Sequence, residues 1–584
     1  MTAAWRRSPV KIGYDQAGFA DEPGPGDRAY GHDDLTAELR ARVVRHRAAR
    51  EVVVDHYRVG YHWAFRLPVD ERPSNLPDDV AELARYPWLI WLTWELEERW
   101  DTLAGAWQLL GDAEAGQLLQ QELAALAGWD HFRNWRDVVG LPTGHLAGAL
   151  ARGLALDGWD PTLREAAVRA AHTLLDGDVP AWFEQQWVAD ESLHNIPLIV
   201  LTRVAQLARV VGHPVAATYA ARAVTAVDAW VEARRADHHT EQTAYNGYLF
   251  DSITDWLAGE PDAADLVDRY ADVFAGLCVE WVHQTVPGRV DLAVPLGDVE
   301  AEMTMWLTCL ARLLDWYGPE RTGGAAWVLS RAVPSRLPAS ALTALLTGPE
   351  SGSDAVPPPT GVHELPTAVA VRDGWTADDP AIVVGVARNA MGHLHADSGQ
   401  LVLGWRGRCW ITDPGYQQYR RGPERDFTID AGAHNAPVID GRKQTVKAGE
   451  LLGLDPVEVD LSRCFTDLPD GARVRRRVAL DGARVTVTDV VDGVPDDTEV
   501  ATHWLGGGLL AWSVVAGWVR LSDGEAAVWF TTLDDGRPAL HANQVERHLG
   551  SRGPVTLRHT GGPGERQWHF VTDPTGCWDV PTLS

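Results

Sequence analysis

The amino-acid sequence predicts a multidomain α+β protein, with stacked helical hairpins first and an antiparallel β-sandwich after them. Three observations carry this prediction. Between Leu35 and Gly348, apolar residues recur at three-to-four spacing in one block after another, as in helices that bury one face. The stretch GPESGSDAVPPPTG at 348–361 then breaks the periodicity with three consecutive prolines. Beyond it come short β-branched and aromatic runs, punctuated by Asp-Gly turns at Asp373, Asp470, Asp481, Asp492 and Asp523.

Residues 1–35 are rich in Gly, Pro and Asp and read as an irregular lead-in. A helical domain is expected over 36–346, with amphipathic segments at 78–100, 111–129, 161–177, 196–212, 214–236, 263–284 and 298–318. Short connections make neighbouring helices antiparallel hairpins. Periodicity alone leaves a solenoid, a bundle and a closed toroid open. The linker is placed at 347–361 and the β-domain at 362–584, where TAVAVR (367–372), AIVVGVAR (381–388), RVTVTDVV (484–491) and RQWHFVT (566–572) read as strands.

A chain of 584 residues with 45% hydrophobic and 23% charged residues is long enough for a large core. Its formal net charge of -29 opposes binding to nucleic acid or to an anionic membrane. The 27 Trp suit stacking on sugar rings, yet most fall inside helical patterns, as Trp88, Trp91, Trp94 and Trp107 do, and read as core. Five scattered Cys without C-x-x-C spacing read as free thiols of a reducing compartment. The basic N-terminal stretch has no apolar run behind it, and no apolar stretch is long enough to span a bilayer, so the cytoplasm is the expected location.

Chemistry concentrates in 391–444. There His393, His395 and Asp397 alternate, Asp413 stands in a Thr-Asp-Pro-Gly turn, and His434-Asn435 precedes Asp440-Gly441. In an extended strand alternate side chains share a face, so the first three are expected to converge on one surface. Any one of them alone is as readily a satisfied core or turn residue. As a set, His395, Asp413 and His434 offer two imidazoles and one carboxylate, a donor mix suited to zinc, at intervals of 18 and 21 residues. Such intervals require separate segments of a folded sheet to meet. Arg406, Arg408, Arg420, Arg421, Arg425, Arg442, Lys443 and Lys447 crowd the same stretch. Solvated surface is the plain reading of each, but their clustering favours an anion-facing rim, with Arg420, Arg421 and Arg425 as substrate contacts.

Two spots in the helical half add candidates. His194-Asn195 stands at a helix entry, where an imidazole beside a carboxamide is usually a cap or a turn. Glu241, Tyr245 and Tyr248 share one face of a helix, which alone reads as a packed aromatic stripe. His238 and His239 precede them without a visible third ligand, so a second metal site is not expected there.

The series His393-x-His395-x-Asp397, Asp413-Pro414-Gly415, His434-Asn435 and Asp440-Gly441 resembles the heparinase II/III-like family of polysaccharide lyases. The resemblance implies an α/α toroid for the helical domain, a β-sandwich after it and an active cleft between them. It implies catalytic roles for His194, Asn195, Tyr245, Tyr248 and His393, a substrate contact for Glu241, and a structural role for the zinc. Asn195 follows His194, whereas the family pattern places an Asn before the His, where Leu193 stands. The implied reaction is β-elimination on a uronic acid. Asn195, His194 and His393 neutralise the carboxylate, a Tyr or His takes the C5 proton, and a Tyr protonates the departing C4 oxygen. The first expectation is a carbon-oxygen lyase acting on uronic-acid oligosaccharides. The alternatives are a lyase or dehydratase for a small acidic metabolite, and a non-catalytic carbohydrate-binding protein of the same fold. Expected partners are an acidic oligosaccharide or small acidic substrate and, for the chain itself, a second copy in a homodimer; neither nucleic acid nor membrane is expected.

Overall fold

The computed structural model describes residues 5–7, 26–56, 61–73, 88–134, 138–184, 193–298, 304–348, 355–386, 393, 395–415, 423–442, 444–445, 449–508, 510–532, 537–542 and 555–582. In the helical half, Trp88–Leu110, Leu141–Leu154, Asn195–Val210, Gln242–Gly259, Trp306–Arg321 and Ala339–Thr347 each pack on the next, and the last packs on the first. This closed circuit is the inner ring of an α/α toroid. Helices such as His32–Ala48, Ala113–Ala125, Ala216–Asp237 and Ala271–His283 alternate with it along the chain and cover it. A ring helix has two ring neighbours and a cover, so it must be apolar almost all round. In Asn195–Val210 every residue from Pro197 to Ala208 is buried.

The first described helix begins at His32, inside the stretch read as a lead-in. The helical half also holds strands that the three-to-four periodicity does not announce. Trp5–Arg7, Tyr61–Arg66 and Glu51–His56 form a three-stranded sheet, and Thr285–Val286 pairs with Arg289–Ala293. The Val-Val-Val of the Glu51 strand is β-branched, which suits a pleated surface.

Beyond 360, every strand pairing among the described residues is antiparallel. A five-stranded meander from Gly361–Glu364 to Arg408–Ile411 faces an eight-stranded sheet that holds Arg473–Asp481, Arg484–Asp492 and Gly564–Asp573. Alternate residues of the two sheets, among them Val369, Ile382, Leu403, Val478, Val487 and Phe570, make one core. Set into the inner row is a buried ion pair, Arg476 directly opposite Asp489 on the neighbouring strand, with Nε and Nη2 donating to the two carboxylate oxygens at 2.7 and 2.8 Å. Arg476 Nη1 also donates to the carbonyl oxygens of Gly399, at 2.7 Å, and Asn435.

The other face of the five-stranded meander is buried too. Ala368, Ala370, Val383 and Val402 pack on Val294 and Leu296, which follow the hairpin of the helical half. Arg372 closes this seam from within, its Nη2 donating to the carbonyl oxygens of His283 and Thr285. The tryptophans divide as a core reading expects: Trp182, Trp230, Trp256, Trp281 and Trp306 in the toroid and Trp405, Trp410, Trp504, Trp529 and Trp568 in the sandwich are fully buried. None of the five Cys forms a disulfide. No helix among the described residues is long and apolar enough to cross a membrane.

Candidate active site

The candidate residues meet at the seam. His194 caps the ring helix Asn195–Val210, its Nδ1 accepting from the Ile196 N–H at 3.4 Å. Asn195, the first residue of that helix, is buried, and its Nδ2 donates to Glu241 Oε1 at 3.0 Å and lies 3.3 Å from His393 Nε2. Glu241 stands at the entry of the next ring helix, Gln242–Gly259, with its own N–H bonded to Asn246 Oδ1 at 3.1 Å. One turn on, the ring of Tyr245 lies flat on the His393 imidazole, centroids 3.6 Å and planes 9° apart. Two adjacent helix entries therefore bring four side chains against one histidine of the sandwich half.

That histidine is held by a residue the sequence does not single out. Asp298 offers one carboxylate oxygen to His393 Nδ1 at 3.3 Å and the other to His395 Nε2 at 2.8 Å, and its N–H donates to the His393 carbonyl at 2.8 Å. Gly297 makes the approach feasible: its φ is +71°, and a Cβ there would stand 2.3 Å from the His393 oxygen. His393 itself has a φ of 79°. The chain turns at that point, so the extended strand expected over 393–397 does not form. His393 faces Asn195, Glu241 and Tyr245 while His395 and Asp397 face His434, and the three do not share one surface.

Burial pushes the Glu241 carboxyl up to about 8, against the hydrogen bonds from Asn195 that lower it. Its Oε2 has no hydrogen-bond partner among the described residues. Burial and the neighbouring His393 hold the His194 imidazole below its usual value. At neutral pH a protonated Glu241 and a neutral His194 therefore stand beside the Asn195 amide. Folded Glu241 keeps its proton up to about 8 but releases it near 4.5 when unfolded. The folded state then binds the extra proton, so stability falls as pH rises through that window. Glu241→Gln removes this dependence. Its melting temperature should gain on wild type between pH 5 and pH 8.5, by a stability difference on the order of a few kcal/mol. A pH-independent gap would show that Glu241 is ionised in the folded protein.

A second cluster lies behind His393. The donor atoms of His395, Asp397 and His434 lie within 4.8 Å of one another, and all three side chains are buried. His395 Nδ1 and His434 Nε2 have no hydrogen-bond partner among the described residues. Idle buried polar atoms of this kind cost about 1–3 kcal/mol each unless something binds them. Two idle imidazole nitrogens beside a carboxylate fit a zinc ion. Asp413 stands behind this set: its Oδ2 takes His434 Nδ1 at 2.9 Å and its Oδ1 accepts from the Gly415 N–H at 2.8 Å, which fixes the imidazole's orientation. Asn435 ties the same region together, its Nδ2 donating to the carbonyls of Leu401 and Thr412 at 2.8 and 2.6 Å while its Oδ1 accepts from the Leu505 N–H at 2.6 Å.

Tyr248 lies deeper, its hydroxyl bonded to Nε2 of His145, and His145 Nδ1 is bonded to Glu97. The Trp94 indole packs edge-on to both rings, so this tryptophan of the helical pattern belongs to the site. Arg420, Arg421, Lys443, Lys447 and the side chain of Arg425 lie outside the described residues. Arg406, Arg408 and Arg442 pair on the sandwich with Asp378, Asp523 and Asp440. His238 ends the helix Ala216–Asp237 in the left-handed region, and His239 Nε2 bonds the Leu193 carbonyl at 3.2 Å. Both have structural positions.

Residues 380–570 match the model of a family described as heparinase II/III-like, C-terminal. Among curated proteins none matches the chain by sequence. Solved structures match it in fold. A heparinase III is 12% identical, with a TM-score of 0.60 over 95% of this chain and 87% of its own. A second heparinase III, also 12% identical, has a TM-score of 0.58 over 84% of this chain and 80% of its own. The heparan sulfate lyase HepC from Pedobacter heparinus is 12% identical, with a TM-score of 0.51 over 94% of this chain and 90% of its own. The likeness supports a helical toroid followed by a β-sandwich.

Proposed function

We propose that this chain, whose residues 380–570 are a heparinase II/III-like C-terminal domain, is a polysaccharide lyase that cleaves uronic-acid-containing oligosaccharides by β-elimination. The observation that carries the reading is the meeting of Asn195, Glu241 and Tyr245 with His393 across the seam. The hard step in this reaction is loss of the C5 proton, because negative charge then spreads onto the adjacent carboxylate. Donors placed where that charge develops lower the barrier most. Asn195 Nδ2, the protonated Glu241 and the imidazoles of His194 and His393 are suited to surround such a carboxylate. A phenol, Tyr245 or Tyr248, takes the C5 proton and passes one to the departing C4 oxygen. The C4–O bond breaks as the C4–C5 double bond forms, and no water enters.

A zinc bound by His395, Asp397 and His434, with Asp413 behind, would supply structural cross-linking between the segment that carries His393 and the sandwich. No step of the elimination passes through it.

The test is ultraviolet absorbance of purified protein mixed with heparan, chondroitin, hyaluronan, alginate and glucuronan oligosaccharides. Absorbance from the new conjugated double bond should rise with at least one of them and stay flat with His393→Ala. A folded protein that eliminates none of these sugars would remove the reading and leave a small acidic metabolite as the next substrate class to try.

A further inference from the structure

The bonds of Tyr248 set it apart as a candidate for a particular role. Its hydroxyl is bonded to Nε2 of His145, on the ring helix Leu141–Leu154, and the two rings stack with centroids 5.3 Å and planes 16° apart. The Trp94 N–H also points at Nε2, at 3.2 Å. The Trp94 indole N–H can only donate, so it makes Nε2 the acceptor and assigns the His145 proton to Nδ1, which faces Glu97 Oε2. Burial alone would raise the Glu97 carboxyl, but the Arg152 and Arg203 guanidiniums and the hydrogen bond from His145 bring it well below the usual carboxylate range. Arg152 Nη2 lies 2.5 Å from Glu97 Oε1 and the same guanidinium pairs with Asp101 and Asp255 at 2.9 Å each. His145 and Tyr248 are each 4% exposed, so little water dilutes these interactions. A hydroxyl facing a bare imidazole nitrogen, whose other nitrogen faces a fixed carboxylate, is the arrangement that activates hydroxyl nucleophiles.

We propose that His145, oriented by Glu97, is the base that takes the hydroxyl proton of Tyr248, so that Tyr248 enters the elimination as a phenolate and is its proton carrier. The inference rests on the lyase reading for the reaction it serves. The Oη–H bond breaks and its proton goes to Nε2, giving an imidazolium beside the Glu97 carboxylate. The phenolate then takes the C5 hydrogen as a proton, the C5–H electron pair becomes the C4–C5 double bond, and the C4–O pair leaves with the oxygen. The new phenol gives its proton to that oxygen and returns to phenolate. One proton leaves C5 and one arrives at the C4 oxygen, and no oxidant or further base is needed.

The first experiment needs no substrate. Ultraviolet difference titration of tyrosinate in wild type should show one of the 12 Tyr ionising at least about one pH unit below the rest. That transition should vanish in Tyr248→Phe, survive in Tyr245→Phe, and move up by about one pH unit or more in His145→Gln. With substrate, His145→Gln should lose about 10²-fold in kcat with little change in KM, and its acid limb should move to higher pH. His145→Gly should recover rate in added imidazole. If no tyrosine ionises early, or if the early one stays in place in His145→Gln, the assignment is overturned even in a protein that eliminates sugar. If the early phenol follows these predictions but no sugar is eliminated, the assignment stands and the lyase reading falls.

Discussion

Asn195→Ala should lower kcat by about 10²–10³-fold while leaving most of KM in place, the loss typical of one donor aimed at developing charge. The argument rests on where the amide sits. Its Nδ2 lies between Glu241 Oε1 and His393 Nε2, at 3.0 and 3.3 Å, on a buried helix entry that cannot swing aside. A donor fixed in that place does little for a substrate carboxylate already charged in the ground state. Its effect grows as the C5 proton leaves and charge accumulates, so the loss belongs in kcat. A second sign should appear in the pH profile. The Asn195 hydrogen bond lowers the Glu241 carboxyl, so its removal lets Glu241 hold a proton to higher pH. The alkaline limb set by neutral Glu241 then moves up. A kcat within threefold of wild type, or an alkaline limb that moves down, would take Asn195 out of the transition-state set.

Arg476→Met should destabilise the sandwich by about 3–5 kcal/mol, because it leaves Asp489 buried without its partner. Arg476→Met with Asp489→Leu should recover most of that, since two apolar side chains suit the inner row of the sheet. Recovery should be incomplete for a local reason. Arg476 Nη1 also serves the carbonyls of Gly399 and Asn435, and no apolar side chain replaces those bonds. Asn435 is the neighbour of His434, so the loss of the bond to its carbonyl should also loosen the segment that holds His434. A thermal transition within a few degrees of wild type in the single variant would show that the pair contributes little.

Ring helix Asn195–Val210 was legible because a helix walled on three sides spells out apolar residues in nearly every position, as Pro197 to Ala208 do, whereas Leu141–Leu154 and Ala339–Thr347 were not among the segments read from the sequence. Closure into a toroid was not legible, since periodicity states which face is buried and not what covers it. It was inferred from the resemblance in 393–441. His395 and His434 stood out by residue type, but the neighbouring carboxylates Asp397 and Asp413 could be ordered only by a bend at His393, whose positive φ no glycine announces. Asp298 and His145 were illegible for a simpler reason. Asp298 opens what reads as an ordinary helix, and His145 is a lone imidazole in an apolar one. Their partners lie 95 and 97 residues away for Asp298, and 48 and 103 residues away for His145.

Asp298 has a consequence for how such a protein can be inherited. It comes from the toroid's side of the chain, yet both of its oxygens are committed to histidines of the sandwich. A recombination that moved the sandwich onto another helical partner would carry His393 and His395 without the anchor that aims them. The same event would leave behind Asn195, Glu241 and the tyrosines with nothing opposite them. The last toroid helix ends at Thr347 and the first sandwich strand begins at Gly361, yet the contacts of Asp298 cross that division, so neither half carries the candidate site without the other.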